Sequence, residues 1–148
     1  MTTATLTSMV SVALFAADED GVLVRLGLRE AGVAATGAYV MEVQSGALDL
    51  NQFLGGASPD VVIYDCLEAT GPGTRHLDAL RDACDALRIP CVLTVGDVRD
   101  LNDLVVSWAA CILIRPYDAD MAQLAIREAL ATSVGDDGDD DERGEAAA

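Results

Sequence analysis

Three side chains of different chemistry close three apolar runs. Asp65 ends "DVVIYD", Thr94 lies at the end of "IPCVLT", and Arg115 ends "CILIR" and is followed by Pro116. Three acids, Asp18, Glu19 and Asp20, follow a fourth run, "MVSVALFAA" (9–17). If these runs are parallel strands, carboxylates, a hydroxyl and a permanently charged guanidinium meet at one sheet edge. A carboxylate behind Val61, Val62, Ile63 and Tyr64 is costly if buried and unremarkable if it only caps a strand. Asp65 has two further possible states. Backbone amides satisfy it, or it pairs permanently with Arg115, which would lower its pKa and occupy its oxygens. The Asp18–Asp20 acids read equally as metal ligands or as a solvated turn at a helix N-terminus, where acids favour the dipole. Thr94 also reads as an ordinary strand threonine. The sequence holds no glycine-rich phosphate loop, G-x-S-x-G elbow or H-E-x-x-H pair.

The elements that must position these groups alternate. After the first strand, Val22, Leu23 and Leu26 recur at helical spacing up to Ala31, with Gly32 as the stop. A weak strand follows over 33–41, then a short helix over 47–55 that ends in Gly55-Gly56. "DVVIYDC" is a strong strand. Leu77, Leu80, Ala83, Cys84 and Leu87 form one face of a helix over 74–88. A strand over 89–97, a helix over 100–109 and a strand over 111–116 come next. Asp118 is a natural N-cap for a final helix, "ADMAQLAIREALAT". The third, fourth and fifth strands are continuous apolar runs, as in parallel sheets covered on both faces. The expected fold is α/β: a doubly wound, five-stranded parallel sheet, a flavodoxin-like (βα)5 three-layer sandwich. Such sheets carry their sites at the C-terminal strand ends.

Composition narrows the function. The 148 residues include 25 acids and 9 basic residues, all arginine, for a net charge of −16. Such a chain repels nucleic acid and anionic membranes and favours basic partners or cations. The segment 135–148 holds seven acids and one arginine and is expected to be a disordered acidic tail. A short N-terminal tail (1–8) and one domain (9–134) make up the rest. Four cysteines lack any Cys-x-x-Cys pairing and read as buried, reduced thiols. The N-terminus lacks the basic start of a signal peptide, and no apolar run reaches membrane length. The expected location is the cytoplasm.

The segments "SPDVVIYDC", "IPCVLTVGD" and "ILIRPYDADMAQLAIREAL", with "VRLGLREAG" as a first helix, resemble the receiver domain of two-component response regulators. The intervals of 29 residues from Asp65 to Thr94 and 21 from Thr94 to Arg115 agree with that family's pattern. The resemblance implies that Asp65 accepts a phosphoryl group, that Thr94 binds the phosphoryl oxygens, and that Arg115 stands where the family has lysine. It implies Mg²⁺ held by Asp18, Glu19, Asp65 and the backbone carbonyl of Leu67. The family's acidic pair falls on Ala16-Ala17 if the first strand is aligned by its apolar run, and on Glu19-Asp20 if aligned by "VRLGLR". Val95 replaces a usual Ala or Gly, and Ile112 replaces a usual aromatic. The implied partners are a sensor histidine kinase or phosphotransfer protein and a downstream protein. A homodimer through the 100–109 helix, the fifth strand and the final helix is a further possibility. No activity beyond accepting phosphate is expected. A phosphorylation-independent pseudo-receiver is the alternative, and a small flavodoxin-like ligand binder or enzyme is a weaker one.

Overall fold

The computed structural model describes residues 10–66, 74–96 and 108–132. Both chain tails, the Leu67 carbonyl and most of the expected helix over 100–109 lie outside the described residues. Among those described, the strands are β1 (Ser11–Ala16), β2 (Ala34–Tyr39), β3 (Val61–Asp65), β4 (Cys91–Val95) and β5 (Cys111–Ile114). The helices are α1 (Glu19–Glu30), α2 (Val40–Gln44), α3 (Leu50–Ala57), α4 (Thr74–Leu87) and α5 (119–132). All four strand pairings are parallel, and the order is β2-β1-β3-β4-β5. This is the doubly wound sheet that the sequence leads one to expect.

Strand parity divides the core into two layers. Ala13, Phe15, Val62, Tyr64, Cys91 and Leu93 face α3 and α4, where they pack with Leu54, Leu80 and Ala83. Val12, Leu14, Val61, Ile63 and Val92 face the other way, toward Val24 and Leu28 of α1 and Ala122, Ala125 and Ile126 of α5. Both layers are aliphatic, as a chain with two Phe, three Tyr and one Trp requires. Phe15 stacks edge-on against Phe53, with centroids 5.5 Å apart. No disulfide joins the four cysteines, and Cys66, Cys84 and Cys91 are buried.

Three boundaries differ from the sequence reading. Helix α1 begins at Glu19 rather than Val22, because the Asp18 carboxylate accepts the Asp20 amide and caps the helix. The apolar run over 33–41 stops as a strand at Tyr39. Its last residues begin α2, held by the Glu42 carboxylate, which accepts the Tyr39 amide. Helix α3 starts at Leu50, capped by Asp49, and runs past Gly55-Gly56 to a left-handed Ser58 (φ 46°). Fold positions between α1 and α5 also depend on a small residue: a Cβ at Gly27 would lie 2.8 Å from Ala119 Cβ.

Candidate functional site

Parity also aims the polar strand ends. Asp65 lies two residues beyond Ile63, Thr94 two beyond Val92 and Arg115 two beyond Leu113, so all three share the face covered by α1 and α5. Asp65 and Thr94 are ladder partners. Their burial is nearly complete, at 1% and 0% exposure.

A buried carboxylate loses several kcal/mol of hydration unless donors replace the water. Asp65 has three. The Thr94 hydroxyl donates to Oδ1 at 2.7 Å. The Tyr117 hydroxyl donates to the same oxygen at 3.1 Å. The Ala17 amide donates to Oδ2 at 2.9 Å. Hydrogen bonds to a charged group each contribute about 1.5–3 kcal/mol, so the three together offset a desolvation cost of that order. Gly21 lets α1 approach closely, since a Cβ there would fall 2.9 Å from Asp65 Oδ2.

Arg115 does not pair with Asp65. Its Nη1 donates to Thr94 Oγ1 at 3.4 Å, a long bond, so the permanent Asp65–Arg115 ion pair is absent. Thr94 thus stands between the two charges. The ion pairs found among the described residues join Arg81 to Asp78 and Asp82 on the exposed side of α4, away from the site.

The pairing Phe15↔Tyr64 sets Ala16 level with Asp65, the register of the apolar-run alignment of β1. Ala16 and Ala17 lie at the end of that strand. The alternative, Glu19-Asp20, would need a longer strand, but β1 ends at Ala16 and α1 is already under way at Glu19. A cavity of about 300 Å³ opens over the site, walled by Asp18, Asp20, Asp65, Arg115 and Tyr117 among others. Glu19 is not in its wall.

This donor set does not fit a Mg²⁺ ion, which needs near-octahedral oxygens at about 2.0–2.1 Å. Both Asp65 oxygens already accept protein hydrogens, and Asp18 is engaged in capping α1. Among the described residues no three His, Cys, Asp or Glu side chains lie close enough to hold a metal.

Tyr117 is the site residue that sequence reasoning overlooks. It stands two residues past Arg115 in "RPYD", and an aromatic there carries no spacing signal of its own. Its phenol is pushed well above the ordinary range, first by burial and then by the Asp65 carboxylate, with Arg115 opposing. It therefore stays a neutral donor. Tyr64, on the other face, is raised too, by burial and the neighbouring Cys66 and Cys91, and its hydroxyl is buried without a hydrogen-bond partner.

No family model matches the chain, and no curated protein matches it. Solved structures do. The signal receiver domain of a modulated diguanylate cyclase from Desulfovibrio desulfuricans G20 superposes with a TM-score of 0.59 at 17% identity, over 85% of this chain and 97% of that one. A response regulator from Thermotoga maritima gives 0.60 at 15% identity, over 82% and 98%. The anti-anti-sigma factor PhyR from Bartonella quintana gives 0.62 at 14%, over 99% of this chain and 56% of that one. The chain is a divergent receiver-like domain in fold. Among the described residues no helix is long and apolar enough to cross a membrane.

Proposed function

We propose that this chain is a receiver-fold module of two-component signalling that works by protein–protein contact, with Asp65 serving as a structural hub rather than as a phosphoacceptor. One observation carries the reading: both Asp65 oxygens accept hydrogen bonds, from β4, from the link between β1 and α1 and from the link before α5. A nucleophilic carboxylate needs a free lone pair aimed at the incoming phosphorus, and here three of the roughly four acceptor positions of Asp65 are taken, two on Oδ1 and one on Oδ2. Two substitutions support it. Alanines stand where acids would neutralise a phosphoryl group, and Arg115 is turned onto Thr94. The partners in this reading are proteins, in keeping with the chain's acidic charge: an upstream kinase or phosphotransfer protein and a downstream target, or a second copy. Exposure to acetyl phosphate with Mg²⁺, read by intact mass, tests it. An unmodified chain is the expected result.

A second reading keeps Asp65 as the acceptor. The 2.7 Å bond from Thr94 favours it, because it sets a hydroxyl beside the carboxylate where a phosphoryl oxygen would need a donor. In this reading Oδ2, which accepts the Ala17 amide alone, is the attacking oxygen, while Thr94 and Tyr117 hold Oδ1.

A further inference from the structure

We infer that the cavity beside Asp65 is a binding site for a small amino acid, whose carboxylate pairs with Arg115 and whose ammonium lies among Asp18, Asp20 and the open side of Asp65. The inference deepens the proposed function: it rests on Asp65 being unphosphorylated and gives the same module a small-molecule input.

The cavity holds about 300 Å³, at the lower end of ligand pockets, which run about 300–1,000 Å³. Its wall carries three carboxylates, Asp18, Asp20 and Asp65, and one cation, Arg115. The cation is largely uncommitted. Among the described residues its guanidinium makes one side-chain hydrogen bond, the long one to Thr94, and no ion pair. A half-buried guanidinium in that state keeps most of its N–H donors, in a planar fork that matches a carboxylate. Gly96 leaves it room, since a Cβ there would lie 3.2 Å from Arg115 Nη2.

The acceptors have capacity too. Asp65 is 1% exposed, yet its Oδ2 accepts only the Ala17 amide, which leaves an acceptor position on a buried ion. Buried polar groups are normally satisfied, so this position calls for a donor. Gly21, also in the wall, keeps the approach clear, because a Cβ there would fall 2.9 Å from Oδ2. Asp18 caps α1 through Oδ1 and leaves Oδ2, and Asp20 contributes its amide to that cap while its carboxylate takes no partner among the described residues.

These acids do not make the filled oxygen shell that Mg²⁺ demands. An ammonium asks less: it donates up to three N–H bonds of about 2.7–2.9 Å to the carboxylates within reach and keeps water on the rest. An amine alone would leave Arg115 unpaired, and an anion alone would meet three carboxylates. A ligand with both charges satisfies both parts of the wall. The Thr94 hydroxyl bonds to Arg115 on one side and to Asp65 on the other, so the two charges are one hydroxyl apart. The ammonium and carboxylate of the ligand must therefore lie only a few bonds apart, as in an amino acid.

Titration calorimetry on the full chain tests the site with glycine, β-alanine and γ-aminobutyrate, against butyrate and butylamine, which carry one charge each. The expected result is saturable binding of at least one of the three amino acids, about tenfold or more tighter than of either control. Arg115→Gln should weaken that binding about tenfold or more and Asp20→Asn severalfold, while Arg115→Lys, which keeps the charge without the fork, retains part of it. No saturable binding by any of the three, equal binding of butylamine or butyrate, or indifference to Arg115→Gln would overturn the inference. Should Arg115→Gln fail to fold, the comparison of ligands on the native chain decides. Phosphodonor labelling is a separate readout. An adduct on Asp65 refutes the proposed function, whereas an unmodified chain that binds none of the three refutes this inference alone.

Discussion

Thr94 and Asp65 sit abreast in neighbouring strands, and the threonine hydroxyl reaches the carboxylate at 2.7 Å with both side chains buried. An ion so placed is stable only while its donors remain. Thr94→Val keeps the shape and removes one of them. The expected loss is about 1–3 kcal/mol, read as a lower urea midpoint with an unchanged slope. Asp65→Asn with Thr94→Val should cost less than the sum of the single changes, because the two residues share one bond.

Much of this arrangement is legible in the sequence, for a physical reason. Apolar runs of Val, Ile and Leu specify buried parallel strands, and period-two parity then sends Asp65, Thr94 and Arg115 to one face. What those side chains bond to is set by turns and rotamers, which leave no periodic trace. Arg115 therefore reads as a partner for Asp65 and turns out to reach Thr94. Tyr117 reads as an ordinary aromatic and turns out to hold Asp65. The choice between Ala16-Ala17 and Glu19-Asp20 depends on one ladder pairing, Phe15↔Tyr64, which the sequence does not contain. Helix α2 was hidden inside an apolar run because Val40 and Val43 serve a helix face as readily as a strand.

Alkaline titration should report on the two buried tyrosines. Tyr64 and Tyr117 are held above the ordinary value of ~10, each by burial first. Besides Asp65, Asp18 raises Tyr117 and Arg115 lowers it. A raised folded pKa contributes stability in full below pH ~10, and that contribution is lost as pH climbs above it. Absorbance near 295 nm should therefore show Tyr64 and Tyr117 ionising only on unfolding. Ionisation of Tyr117 in the folded chain at pH ~10 would contradict its burial.

Two glycines should respond oppositely to alanine. At Gly21 a Cβ would lie 2.7 Å from Ala16 Cβ and 2.9 Å from Asp65 Oδ2, both fixed by the sheet. Overpacking of this kind costs about 1–3 kcal/mol, more than the roughly 1 kcal/mol that alanine adds in helix propensity. At Gly55 in α3 a Cβ meets open space, so Gly55→Ala should raise the melting temperature slightly.

Thiol labelling should be selective. Cys111 is partly exposed, and Cys66, Cys84 and Cys91 are buried. Burial and the Glu128 carboxylate push the Cys111 thiol up, so its reaction should be slow at pH 7 and speed up well above pH 8. Glu128→Gln should accelerate it severalfold at pH 8. Fast labelling of several cysteines in the native chain would contradict the packing of α4 on the sheet.

The central claim is that Asp65 is a buried carboxylate held by three protein hydrogen bonds and serving structure rather than phosphoryl transfer. Intact mass after incubation with acetyl phosphate and Mg²⁺, with Asp65→Ala alongside, tests it most directly. The account predicts the same unmodified mass for both proteins in the folded state. A phosphoryl adduct on the native chain, absent from Asp65→Ala, would contradict it and make Asp65 a nucleophile.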